Sequence, residues 1–290
     1  MTRRGWLLFL ALGVVWGIPY LLIQVAVREL SPATLVFLRT SIGAAVLLPI
    51  AVARGDLRAL LRRWRPVVLF TVVELAVPWL LLSDVERRVT SSLAGLFIAS
   101  VPFISEVLAR LLGTHEPLGR RRLGGLVVGL VGVVLLLGLD LGRRDLWAIV
   151  ELTIVVMGYA LGPIVVSRGL SGLPSRDVIA GCMALCAFAY APFGLAQLPA
   201  AWPSPAVLGA VACLGLVCTV LAFLLFFALI AEVGPVRATV ITYLNPAVAV
   251  AVGVGFAGEP LTRGLVLGFV LILTGSWLAT GHAARGEGTI

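Results

Sequence analysis

"THEPLGRRRLGGLVVGLVGVV" (Thr114–Val134) and "AGEPLTRGLVLGFVLILTGSW" (Ala257–Trp277) are one phrase written twice in the same chain. Placing Glu116 on Glu259 also places Pro117 on Pro260, Leu118 on Leu261, Gly125 on Gly268 and Gly132 on Gly275. Composition alone does not produce five coincidences at fixed spacing, so an internal repeat is the first fact to build on. Upstream the agreement continues with a slip of one residue, from Pro102 in "IASVPFI" to Pro246 in "TYLNPAV", each expected near the middle of a helix. Gly17 of "VWGIPY" pairs more weakly with Gly158 of "VMGYAL". The boundary falls between Asp140 and Asp145, which gives repeats over residues 1–141 and 142–290.

The repeated unit is made for lipid. Of 290 residues 60% are hydrophobic and 12% charged, and the mean hydropathy is +1.10, far outside the range of a soluble domain. Crossing roughly 30 Å of hydrocarbon takes about 20 apolar residues in a helix. Ten runs qualify as spans one to ten: Gly5–Val27, Ala33–Ala53, Pro66–Leu82, Ser91–Leu112, Leu123–Leu141, Leu146–Ser167, Val178–Leu198, Ala206–Ile230, Pro235–Ala257 and Gly264–His282. They are too long for barrel strands, and irregular backbone facing lipid would leave N–H and C=O groups unpaired, so helices are expected throughout. Span one carries Trp16 and Tyr20 and lacks a small-x-small cleavage site, so it reads as a span and not as a signal peptide.

Five spans per repeat is an odd number, so the second copy runs through the membrane opposite to the first. The expected fold is therefore an all-α integral membrane protein of ten transmembrane helices in two inverted five-helix repeats. All 22 basic residues are arginine, and an N-in, C-in arrangement puts most of them on the cytoplasmic side, including Arg3, Arg4, Arg54, Arg58 and Arg120 to Arg122. The net charge of +8 thus reports topology; the arginines form no groove with interleaved aromatics, and no nucleic-acid partner is expected. Cys182, Cys186, Cys213 and Cys218 lie inside spans seven and eight without a nearby histidine or CxxC spacing, which makes them packing residues and implies neither disulfides nor metal. Gly125 with Gly129, and Gly264 with Gly268, are spaced for close helix packing. No P-loop, zincin, serine triad or Rossmann context occurs, so neither a cofactor nor an enzymatic site is expected.

"WGIPY" in span one, "SPATLVFLR" leading into span two, the paired prolines and both "EPL" turns followed by glycines together resemble the EamA family of the drug/metabolite transporter superfamily. The resemblance covers nearly the whole chain. It implies a ten-helix, two-repeat fold with a central cavity, residence in the plasma (inner) membrane, and export of amino acids or other small metabolites.

Charges deep in a span cost about 2.5–3.5 kcal/mol each on insertion scales, so they point into a cavity or pair with something. At 1.5 Å per residue Arg39 lies ~9 Å from the outer end of span two, Glu151 ~8 Å from that of span six, and Glu74 ~12 Å from either end of span three. The three are expected in one layer. Arg39 would hold a substrate anion, or else cap carbonyls or neutralise Glu74 or Glu151. Glu74 would pair with Arg39, meet a substrate ammonium or exchange a coupling proton. Glu106 precedes Arg110 by four residues and is read as a structural pair.

Trp16, Tyr20, Trp79, Tyr159 and Tyr243 are candidate walls of a substrate site. Asn245, beside Pro246, could take up the carbonyl that the proline frees, or contact substrate. Pro78, Pro102 and Pro246 are expected to bend their helices. The reading is an alternating-access exporter of small polar metabolites, with lipid and a small-molecule substrate as partners and no indication of oligomeric state. A drug or other metabolite transporter of the same fold is the near alternative, and a membrane scaffold without transport the distant one.

Overall fold

A computed structural model describes residues 2–54, 57–111, 120–136, 146–233, 241 and 244–280, and among these every regular element is helical. Span one is α1 (Arg3–Gly17) and α2 (Pro19–Ala26), jointed at Ile18 because Pro19 must start a new segment. Span two is α3 (Pro32–Arg54), whose first turn is held by Ser31 Oγ accepting from Thr34 N at 3.1 Å. After α4 (Leu57–Arg62), span three is α5 (Trp64–Phe70), a π-helical segment π1 (Thr71–Ala76) and α6 (Val77–Val85). Span four is α7 (Ser91–Ile98) and α8 (Val101–Leu111); span five is α9 (Arg120–Leu136).

The second half follows with α10 (Leu146–Val165), π2 (Val166–Leu170) and α11 (Ser175–Ala196). Span eight is α12 (Pro205–Gly215), π3 (Leu216–Leu221) and α13 (Ala222–Val233), and the chain continues through α14 (Leu244–Ala257) and α15 (Arg263–Thr280). Six helical runs are long and apolar enough to cross a membrane: Arg3–Ala26, Pro32–Ala53, Trp64–Val85, Leu146–Leu170, Ser175–Ala196 and Pro205–Glu232. Four shorter apolar helices, Ser91–Ser105, Leu123–Leu136, Leu244–Ala257 and Arg263–Gly275, complete the apolar set among the described residues.

Packing follows the repeat. α3 packs on α11, α7 on α14 and α9 on α15; α10 packs on α6 and α8, as α1 does on α13 and α14. Replacing each span by the one five further on leaves this set of pairs unchanged. The α9–α15 seam is made of the repeated glycines. A Cβ on Gly275 would lie 2.6 Å from the Gly125 carbonyl, and one on Gly268 3.3 Å from the Gly132 carbonyl. Those two contacts exchange when Gly125 is placed on Gly268 and Gly132 on Gly275. Small residues here let two backbones touch, as their spacing implied.

Pro102 follows directly on the break of span four at Ala99–Ser100, where a bend is expected. Pro246 lies in α14, and the residues just before Leu244 are outside the described ones. Pro78 follows π1 directly, inside the helical run Trp64–Val85. The side chains of Glu106 and Arg110, the Glu116 turn, the stretch 140–145, Tyr243 and His282 lie outside the described residues.

Candidate substrate site

π1 and π3 begin 145 positions apart, and the fourth residue of each is polar: Glu74 and Thr219. The same separation relates Gly13 to Gly158 and Gly17 to Gly162, so the span-one glycine pairs better with Gly162 than with Gly158. A π turn widens the helix by one residue and shifts hydrogen bonding to i−5, which aims side chains that a straight helix would not. Thr219 Oγ1 accordingly donates to the Leu214 carbonyl at 2.8 Å, five residues back.

That hydroxyl also accepts from Arg39 Nε at 3.0 Å. Arg39 is only 7% exposed, and its guanidinium lies 3.7 Å over the Trp79 ring. Among the described residues its other two nitrogens make no protein hydrogen bond and no carboxylate pairs with it. Tyr159 neighbours Arg39, Glu74, Tyr20 and Trp79, and Tyr20 lies within electrostatic reach of both Arg39 and Glu86. Residues from both halves therefore converge on the buried Arg39 cation: Tyr20 and Trp79 from the first, Tyr159 and Thr219 from the second.

Glu74 does not neutralise Arg39. Its Oε2 is buried without a hydrogen-bond partner and packs against Gly162, which leaves room only because it lacks a Cβ. Gly158, one turn earlier on α10, faces the Val73 carbonyl and Pro78. Tyr190 on α11 donates to the Ala76 carbonyl at 2.9 Å and so supports the far end of π1.

Glu151 leaves the expected layer. It is buried at 3% exposure near the opposite end of α6, where it pairs with Arg88; Arg88 Nη2 is also 2.9 Å from Asp84. The reason is distance along α10: eight residues separate Glu151 from Tyr159, about 12 Å of rise. Asp84 and Glu151 line a cavity of about 620 Å³ with Leu80, Tyr190, Phe193 and Gln197.

Trp16 belongs to an aromatic cluster with Phe226 at 5.0 Å and Phe223 at 6.2 Å, in the seam of α1 with α13. Asn245 Oδ1 is buried without a partner among the described residues, and residue 242, whose carbonyl Pro246 would free, lies outside them. Sequence reasoning missed Thr219, Gly162, Tyr190 and Arg88. The spacing of "GYALG" was available as a packing signal for Gly158 and Gly162; nothing in "LVCTVL" marks a π turn.

A multi-pass helical membrane protein that gathers a buried, unpaired cation and aromatic rings between its halves has the build of a solute carrier. Residues 3–138 and 146–281 each match the EamA-like transporter family, and the chain belongs to that family, within the drug/metabolite transporter superfamily. It is 28% identical over 283 residues to the uncharacterized inner membrane transporter YedA of Escherichia coli K12, covering 92% of this chain and 90% of that one. The YedA protein of E. coli O157:H7 matches to the same extent. A protein crystal structure 23% identical aligns with 99% of this chain and all of its own at a TM-score of 0.66, a likeness of fold. The protein is a multi-pass protein of the inner membrane.

Proposed function

We propose that the chain is a secondary transporter exporting small polar metabolites, amino acids or close relatives, by alternating access. Its ten spans form two inverted repeats, residues 1–141 and 142–290, with both termini cytoplasmic, and the halves rock about the site between them. The exchange-invariant packing of the helices and the reciprocal glycine contacts of α9 and α15 support this architecture.

One observation carries the substrate reading: Arg39 is buried between the halves, oriented by Trp79 and Thr219, with no carboxylate beside it. A buried cation with unused donors is costly until an anion arrives. Its fork suits a carboxylate, which it binds with two parallel hydrogen bonds. Glu74, whose Oε2 has no partner, takes the substrate ammonium or a coupling proton, and Tyr20 and Tyr159 close the walls. An α-amino acid presents both charges.

The test is counterflow in proteoliposomes over a panel of amino acids, amines and drugs, with and without a pH gradient. Exchange of carboxylate-bearing solutes that Arg39→Ala abolishes is the expected result. Exchange of none of the solutes, or full activity in Arg39→Ala, would sink the reading. Glu74→Gln separates the roles of that residue, since loss of pH dependence with retained folding assigns it the proton.

A further inference from the structure

A second buried carboxylate lies far from Arg39 in function. Glu86, in the turn between α6 and α7, is 2% exposed, and both its carboxylate oxygens are buried without a hydrogen-bond partner. Beside it stands Glu259, from the turn between α14 and α15 in the other half. Glu259 is fully engaged: Oε1 accepts from Ser91 N at 2.7 Å and Ser91 Oγ at 2.8 Å, and Oε2 from Ser92 N at 3.0 Å. Gly253 gives it room, since a Cβ there would collide with Oε2. The carboxylate thus closes the N-terminus of α7, where free N–H groups and the helix dipole favour negative charge. It is a clamp between the halves at the end of the bundle that the arginine balance places outside.

With three donors supplied to Glu259 and none to Glu86, the two carboxyls have opposite environments. Burial first, and then the Glu259 carboxylate, push Glu86 well above the usual carboxylate range. Among the described residues, the other ionisable groups around it give it no counter-charge. Tyr20 is a neutral phenol facing it from α2. Arg87 and Arg88 on its own turn are exposed, and both engage Asp84, Arg88 also Glu151.

We propose that Glu86 is a proton-binding site read from the outer face, holding one proton while the Glu259 clamp is closed and releasing it to outside water when the halves part there. The inference rests on the alternating-access reading above. Its sign follows from linkage. The closed state binds Glu86's proton more tightly than the hydrated open state, so closure is favoured at low external pH and lost as pH rises through the closed-state pKa. Opening releases one proton, and the open-to-closed ratio climbs by up to about tenfold per pH unit. A metal ion is the poorer occupant, because the oxygens of Glu259 are already taken by three donors.

The experiment is pulsed-EPR distance measurement in lipid nanodiscs without substrate. Spin labels are placed through Arg87→Cys and Leu261→Cys, both exposed positions in the two outer turns, with the four native cysteines replaced by alanine. The expected result is a long-distance population that grows with pH at a one-proton slope, a flat profile locked short in Glu86→Gln, and a displaced midpoint in Glu86→Asp. A pH-independent distance in the parent, or a profile unchanged in the variants, overturns the proposal; Glu86→Asp decides the matter if Glu86→Gln does not fold. Counterflow on the same protein reports separately on transport, so a flat distance profile in an active transporter removes this inference alone.

Discussion

The Arg39 guanidinium lies flat over Trp79 at 3.7 Å, and Thr219, from the other half of the chain, fixes its Nε at 3.0 Å. The ring orients the charge without neutralising it. A cation–π contact of this kind is worth about 0.5–2 kcal/mol. Trp79→Leu should therefore weaken the apparent affinity for a carboxylate-bearing solute by about 2- to 30-fold in counterflow titrations. Arg39→Lys keeps the charge but loses the fork, and about tenfold in affinity is expected from the lost charge-assisted hydrogen bond. Equal affinities across the three proteins would show that substrate does not meet Arg39.

Gly158 and Gly162 make opposite demands on a methyl group. At Gly158 a Cβ meets the Val73 carbonyl and Pro78, neither of which can rotate away; at Gly162 it meets the Glu74 carboxylate, which can. Gly158→Ala should lose about 1–3 kcal/mol of stability, read as a lower melting temperature in detergent. Gly162→Ala should lose less, and the double variant with Glu74→Ala should recover the loss. Gly255→Ala, with open space around the position, serves as the control and should be neutral or slightly stabilising.

Glu259→Gln tests the clamp as a structural element. The amide places an N–H₂ group against backbone donors at Ser91 and Ser92, so about 1.5–3 kcal/mol should be lost. Ser91→Ala removes one donor of three and should cost about 1 kcal/mol. Hydrogen exchange at residues 91–95 should rise in the first variant well above the second; equal protection would deny Glu259 its capping role.

Glu29, in the turn after α2, accepts from Ser204 N at 2.7 Å ahead of α12. Hydrogen bonds with Ser204 hold its carboxyl below its ordinary 4.5. A depressed carboxylate contributes stability that is present above the ordinary pKa and is lost as pH falls through the depressed one. Exchange protection at Ser204–Leu208 should thus decline below pH 4.5, and Glu29→Gln should remove that pH dependence.

The all-helical, multi-pass class was legible because its signals are local. Apolar run length announces spans, and glycine identities at matched spacing announce a seam; Gly125, Gly132, Gly268 and Gly275 do meet between α9 and α15. Depth counting set Arg39, Glu74 and Glu151 in one layer. It failed for Glu151, because a residue's distance from a span end is measured along a helix whose end the sequence does not mark. Its partner Arg88 lay 63 residues away and nothing in the sequence tied the two together.

By itself the amino-acid sequence determined the class of protein and its family: lipid excludes all but a few backbone solutions, and the family's motifs recur in both parts of the chain. Which groups stay unpaired was decided only in three dimensions. Arg39 lacks a carboxylate, Glu74 lacks a donor, and Glu86 stands beside a fully engaged Glu259, because helices distant in sequence settle who reaches whom. A π turn that rotates Thr219 toward Arg39, or a missing methyl that admits Glu74 to α10, acts over ångströms, and the energy of a buried charge depends on those ångströms.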